Sequence, residues 1–205
     1  IGLTEAEATG ALLCLDVTEA VLDEAIALGY NLVISHHPLI FKGYKSITGK
    51  DYVERCILKA IKNDIVIYSA HTNLDNAYGG VNYKIAEKIG LKNLQVLEPK
   101  ENSLQDDLTQ VGAGIVGELD EPETELEFLK RIKKTFEVGC VRHNRLTGRE
   151  IQKVALCGGA GAFLLPQAIR AGADVFITGE IKYHDYFGHE GDILMAEIGH
   201  YESEQ

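Results

Sequence analysis

The 205-residue chain reads as an α/β protein in two lobes. Short apolar runs rich in β-formers alternate with amphipathic helical stretches in both halves, the pattern of parallel strands joined by crossovers. A less periodic stretch, 93–120, lies between the halves. Three histidine-bearing motifs each follow a β-rich run, where a buried strand gives way to a turn or helix.

Taken in order, Leu12-Leu13-Cys14-Leu15 predicts a buried strand. Thr18 caps an amphipathic helix carrying Val21, Leu22, Ala25, Ile26 and Leu28, which Gly29 ends. Leu32-Val33-Ile34 is the next strand and runs into Ser35-His36-His37-Pro38. After a polar loop from Phe41 to Gly49, a helix from Asp51 to Lys62 places Val53, Cys56, Ile57, Ala60 and Ile61 on one face. The strand Ile65-Val66-Ile67-Tyr68 leads to His71-Thr72-Asn73-Leu74-Asp75. Gly79-Gly80 then breaks the chain before a helix from Asn82 to Lys88 that Gly90 closes.

From Asn93 to Asp120 the expectation is irregular chain with one or two strands, such as Gly114-Ile115-Val116-Gly117. A charged amphipathic helix follows from Glu123 to Phe136, then a short strand from Gly139 to Arg142. The β-α-β theme returns with Val154-Ala155-Leu156-Cys157, the turn Gly158-Gly159-Ala160-Gly161 and a helix from Phe163 to Ala171. A strand from Asp174 to Ile177, a helix near 182–187 and Ile193-Leu194-Met195-Ala196 complete it, the last leading to Gly199-His200-Tyr201-Glu202-Ser203-Glu204. The lobes are expected to span 1–100 and 101–205.

Hydrophobic content of 45% with 25% charged residues is ordinary for a globular protein. No apolar run approaches a membrane span, and the first residues lack the blocks of a signal peptide, so the expected compartment is the cytoplasm. The formal charge is −11 with dispersed Lys and Arg, which makes nucleic acid a poor partner. Cys14, Cys56, Cys140 and Cys157 show no C-x-x-C pair or zinc-ribbon spacing and are read as reduced thiols. The missing initiator Met and the stop soon after a helix start read as a chain incomplete at both ends.

The three motifs offer imidazoles and carboxylates, and no thiolates, as metal ligands. The carboxyl ends of parallel strands open on one edge of a sheet, so residues remote in sequence can converge there. His71 and Asp75 are four apart, as are His200 and Glu204, and on a helical turn each pair shares a face. Adjacent His36 and His37 can reach one site only if their strand has ended, and Pro38 supplies the reason. The Gly158–Gly161 turn lacks the Lys-Ser/Thr of a phosphate loop and reads as close packing or a substrate-contacting turn. Glu180, His184 and Asp185 are read as a solvated helix face, with support of a metal ligand or substrate contact as the sharper reading.

The blocks Leu32 to Leu39, Ser69 to Asp75, Cys157 to Gly161 and Ile198 to Glu204 together resemble the GTP cyclohydrolase 1 type 2 homologue family, also called the Nif-three-like family. The resemblance implies a two-lobed α/β fold with a dinuclear metal centre in the cleft between lobes and assembly into a homohexameric ring. By the same resemblance His36, His37, Asp75, His200 and Glu204 match metal-binding positions, with Glu204 as a bridge, and His71 matches a cavity histidine ranked as catalytic support. Some members carry an inserted domain in the middle, so residues missing near 100–103 are a further expectation.

Two divalent ions, of Zn, Mn, Fe, Co or Ni, suit such mixed nitrogen and oxygen donors better than Mg or Ca. The chemistry expected is metal-dependent hydrolysis of a small anionic or nucleotide-like substrate, with His71 moving a proton and amides near Gly158 to Gly161 holding an anionic group. The competing expectation is a metal-handling or interaction scaffold without turnover.

Overall fold

The computed structural model describes residues 1–3, 5–100 and 111–205. It divides into two compact units, Ile1–Leu74 and Asp75–Gln205. The division therefore falls earlier than the expected residue 100. The cause is sheet pairing: the segment just before residue 100 is bonded to strands that follow it. The expected seam at 101–103 lies outside the described residues.

In the N-terminal unit β1 (Ala11–Cys14), β2 (Leu32–Ser35) and β3 (Val66–Ser69) form a parallel sheet in the order β1-β2-β3. α1 (Glu19–Leu28) begins at Thr18, whose hydroxyl accepts from the Val21 amide, and ends at Gly29 in the left-handed region. α2 (Tyr52–Lys62) is capped by Asp51 through the Glu54 amide. Leu22, Ala25, Cys56, Ile57 and Ala60 from the helices bury against Val33 and Ile67 of the sheet. Buried Glu54 ties down the preceding loop by accepting from the amides of Thr48 and Lys50 and from the Thr48 hydroxyl. Those three donors hold its carboxyl down at about 2.

The chain enters the C-terminal unit within α3 (Thr72–Asn76), and α4 (Val81–Ile89) ends as expected at left-handed Gly90. Then comes a mixed sheet of β4 (Lys92–Pro99), β5 (Gly112–Thr124), β6 (Arg142–His143), β7 (Glu150–Cys157), β8 (Val175–Thr178) and β9 (Leu194–Glu197), in the order β4-β5-β7-β8-β9-β6. Only β7, β8 and β9 run parallel. In the stretch expected to be irregular with one or two strands, the described ends form two antiparallel strands, β5, which contains the expected Gly114 to Gly117, and β4. A methyl at Gly117 would come within 2.7 Å of Leu94 and 2.9 Å of the Lys92 carbonyl, so this glycine of β5 permits the close approach of β4.

α5 (Glu125–Thr135) opens with a capping box between Thr124 and Glu127. Its Phe128 and Ile132 pack with Ile85 and Ile89 of α4 on the face that Val154 and Leu156 present. The alternate residues of β7, Ala155 and Cys157, pack with Leu164, Leu165 and Ala168 around α6 (Leu165–Arg170). The helix expected near 182–187 is a single 3-10 turn, Tyr183–Tyr186, and α7 (His200–Glu204) carries the third motif. Among the described residues no helix is long and apolar enough to cross a membrane.

Candidate metal centre

In the N-terminal unit the three strands stop at Cys14, Ser35 and Ser69, and Asp16, His36, His37 and His71 follow on their shared carboxyl edge. Beyond β2 the backbone still bonds sideways, from the His36 amide to the Cys14 carbonyl and from the His37 amide to the Leu15 carbonyl. The strand itself has ended, so the pleat no longer sends the two imidazoles to opposite faces. Ser35 fixes the bend by donating to the His37 carbonyl while its hydroxyl also meets Ser69 at 2.8 Å.

The result is a trio of imidazoles. Ring centroids lie 4.9 Å apart for His36 and His37, 5.6 Å for His36 and His71, and 5.8 Å for His37 and His71. One nitrogen from each falls within 4.8 Å of the others, a spacing that suits ligation of a common ion. His71 thus stands with His36 and His37 rather than behind them. Phe41 covers it edge to face at 6.0 Å. Asp16, which the motif reading passed over, lies 3.0 Å from Nδ1 of His37. The rule that found the histidines would have found it, because it too follows a strand end.

The C-terminal unit repeats the device. β7, β8 and β9 end at Cys157, Thr178 and Glu197, and the Gly158–Gly161 turn, Glu180 and His200 follow. His200 and Glu204 face each other on one turn of α7, with Nε2 3.3 Å from Oε2 of a carboxylate that is 5% exposed. On the other side of the ring Nδ1 lies 3.0 Å from Glu180. Glu180 is exposed, as the solvated reading expected, yet it also holds a site histidine.

The glycine-rich turn is packed by protein. Its Gly158 amide donates to Asn82, Gly159 to the Ser203 hydroxyl and Gly161 to the Thr178 hydroxyl. These three amides are committed to side-chain oxygens, which favours the packing reading of the turn. A methyl at Gly159, where φ is +61°, would strike the Glu204 carboxylate and come within 3.3 Å of Nε2 of His200. The turn is glycine because the two donors sit against it.

Asp75 and Glu204 both act on the Cys157 thiol, which burial foremost and then these carboxylates push up to about 12. At neutral pH the thiol of the metal-free protein is therefore protonated. The same observation reports a local negative potential suited to a cation. The donor sets of both units therefore fit divalent metal chemically: imidazoles in one, carboxylates with an imidazole in the other.

A family model described as Duf34/NIF3 (NGG1p interacting factor 3) matches residues 1–205. The chain belongs to this family. A relative named GTP cyclohydrolase 1 type 2 homolog from Clostridium perfringens is 36% identical over 207 residues, covering 100% of this chain and 76% of its own. The solved structure of Staphylococcus aureus protein SA1388 superposes with a TM-score of 0.88 at 32% identity, over 99% of this chain and 78% of that one. A Bacillus cereus protein related to NIF3 gives a TM-score of 0.88 at 28% identity, over 99% and 81%. The mixed α/β fold of the chain is thus the fold of NIF3 structures, and the blocks that carried the resemblance in sequence lie at the strand ends just described.

Proposed function

We propose that this chain is a metal-dependent hydrolase that holds two divalent ions. Their ligands are His36 and His37 in the N-terminal unit and Asp75, His200 and Glu204 in the C-terminal unit. The observation that carries the reading is the imidazole trio, whose nitrogens lie within 4.8 Å of one another. Three imidazoles so placed suit Zn, Mn, Fe, Co or Ni. The dinuclear count rests on the family resemblance.

Ions so bound lower the pKa of water and polarise a carbonyl or phosphoryl oxygen. The chain's own part is to hold the donors, exclude competing protons and move one proton during turnover. His71 is the proton carrier, because its imidazole stands beside His36 and His37 and Phe41 shields one side of it. The substrate class is a small anionic or nucleotide-like molecule. The relatives' name supports opening of a purine ring as one member of that class. Assembly into a homohexameric ring and a cytoplasmic location belong to the same proposal.

The test is to measure bound metal and hydrolysis of phosphoesters, cyclic amides and GTP, with and without chelator. Chelator-sensitive turnover that falls in His36→Ala and Glu204→Ala supports the enzyme. Tight metal binding with no turnover across the panel, together with transfer of metal to an acceptor protein, would replace it with a metal-handling role.

A further inference from the structure

We propose that Asp16 and Glu180 are positioning residues, each locking one site histidine in the tautomer that turns its Nε2 lone pair toward metal. The inference rests on the metal reading above and deepens it. Asp16 Oδ1 lies 3.0 Å from Nδ1 of His37, and Glu180 Oε1 lies 3.0 Å from Nδ1 of His200. A carboxylate can only accept, so each contact puts a proton on Nδ1 and, in the neutral ring, leaves Nε2 as the base.

For His200 the consequence is visible. Its Nε2 faces Glu204 Oε2 at 3.3 Å, and a nitrogen lone pair opposite a carboxylate oxygen needs a proton or a metal ion shared between them. A metal ion meets that need while Nδ1–H stays on Glu180. For His37 the same tautomer leaves Nε2 as the nitrogen that can join a shared ion with His36, beside His71.

Stability gives no other reason for the two contacts. Asp16 and Glu180 are 59% and 58% exposed in their side chains, and ion pairs so open to water contribute little to folding. Both follow the end of a parallel strand, Asp16 after β1 and Glu180 after β8, while the histidine each orients follows the end of a neighbouring strand, β2 or β9. The same construction in both compact units points to one purpose. Carboxylates placed behind metal-ligating imidazoles fix ring orientation and raise ligand basicity.

The experiment compares Asp16→Ala and Glu180→Ala with Asp16→Asn and Glu180→Gln, whose amide oxygens can still accept from Nδ1–H. Two readouts are taken: zinc affinity by competition with a chromophoric chelator, and imidazole tautomers of the metal-free protein by long-range nitrogen–proton correlation spectra at alkaline pH. The expected result is Nδ1–H for His37 and His200 in the wild type and the amide variants. The alanine variants shift the affected ring toward Nε2–H and bind zinc about 10- to 100-fold more weakly. Alanine variants that keep both Nδ1–H tautomers and wild-type zinc affinity would overturn the proposal. A wild type that binds no zinc sinks the metal reading itself, and the tautomer spectra still decide whether the carboxylates orient the rings.

Discussion

The two units build their donors by the same device and fill it with opposite chemistry. In each, three parallel strands end on one edge, and the residues just beyond them carry the polar groups. The N-terminal edge gathers the imidazoles of His36, His37 and His71, whereas the C-terminal unit sets Glu204 against one imidazole, His200, and brings both Asp75 and Glu204 to act on Cys157. Neutral nitrogen donors select borderline transition metals and lose their grip when protonated; carboxylates supply the charge that offsets a dication. Strand-end geometry decides where a donor stands, and side-chain type decides what it binds.

The largest effects should come from removing one member of either set. His36→Ala and Glu204→Ala are each expected to cut chelator-sensitive turnover at least about 100-fold, with metal loss measured alongside by plasma mass spectrometry. His71→Gln separates roles: as a proton carrier it lowers kcat by about 10²- to 10⁴-fold with metal retained. Metal loss in that variant would make His71 a ligand instead.

Next in size is Gly159→Ala. The added methyl meets the Glu204 carboxylate, so zinc affinity should fall by about 10-fold while the fold survives, read by chelator competition and thermal melting. Unchanged affinity would mean that Glu204 relaxes without cost.

A smaller contrast concerns the thiols. Cys157 is pushed up to about 12, so its thiolate fraction is negligible at neutral pH, while Cys140 is exposed. Iodoacetamide should therefore label Cys140 rapidly and leave Cys157 unmodified, as mass spectrometry of peptides would show.

The smallest effect is the acid response of Glu54. Its folded carboxyl lies at about 2, below the unfolded value, so its stabilising contribution is complete above the unfolded value and disappears as pH falls toward about 2. Glu54→Gln should lower Tm at pH 7, and the gap to wild type should close on acidification. A gap independent of pH would assign the effect to packing.

Much of this was legible in the sequence, for reasons that particular residues show. Thr18, Gly29, Asp51 and Gly90 act locally, so helix boundaries could be read from them. The histidine motifs were legible because a β-rich run before each gave away its strand end. β5 was legible only at Gly114 to Gly117, and β4 was not, since Val96 is its one buried residue, which leaves no alternation to read, and its pairing is set by another segment. The division at Leu74 was hidden for the same reason, because nothing local says which sheet β4 will join. Asp16 went unseen as a lone carboxylate, and the capping box at Thr124 was overlooked although its spacing is local.

The central claim, that His36 and His37 with Asp75, His200 and Glu204 hold catalytic metal, meets its most direct test in metal stoichiometry. Wild type, His36→Ala and Glu204→Ala would be loaded with zinc, desalted and measured by plasma mass spectrometry. The account predicts about two equivalents per chain in the wild type and a loss of at least about one in each variant. Equal zinc content in all three proteins, or none in the wild type, would contradict it.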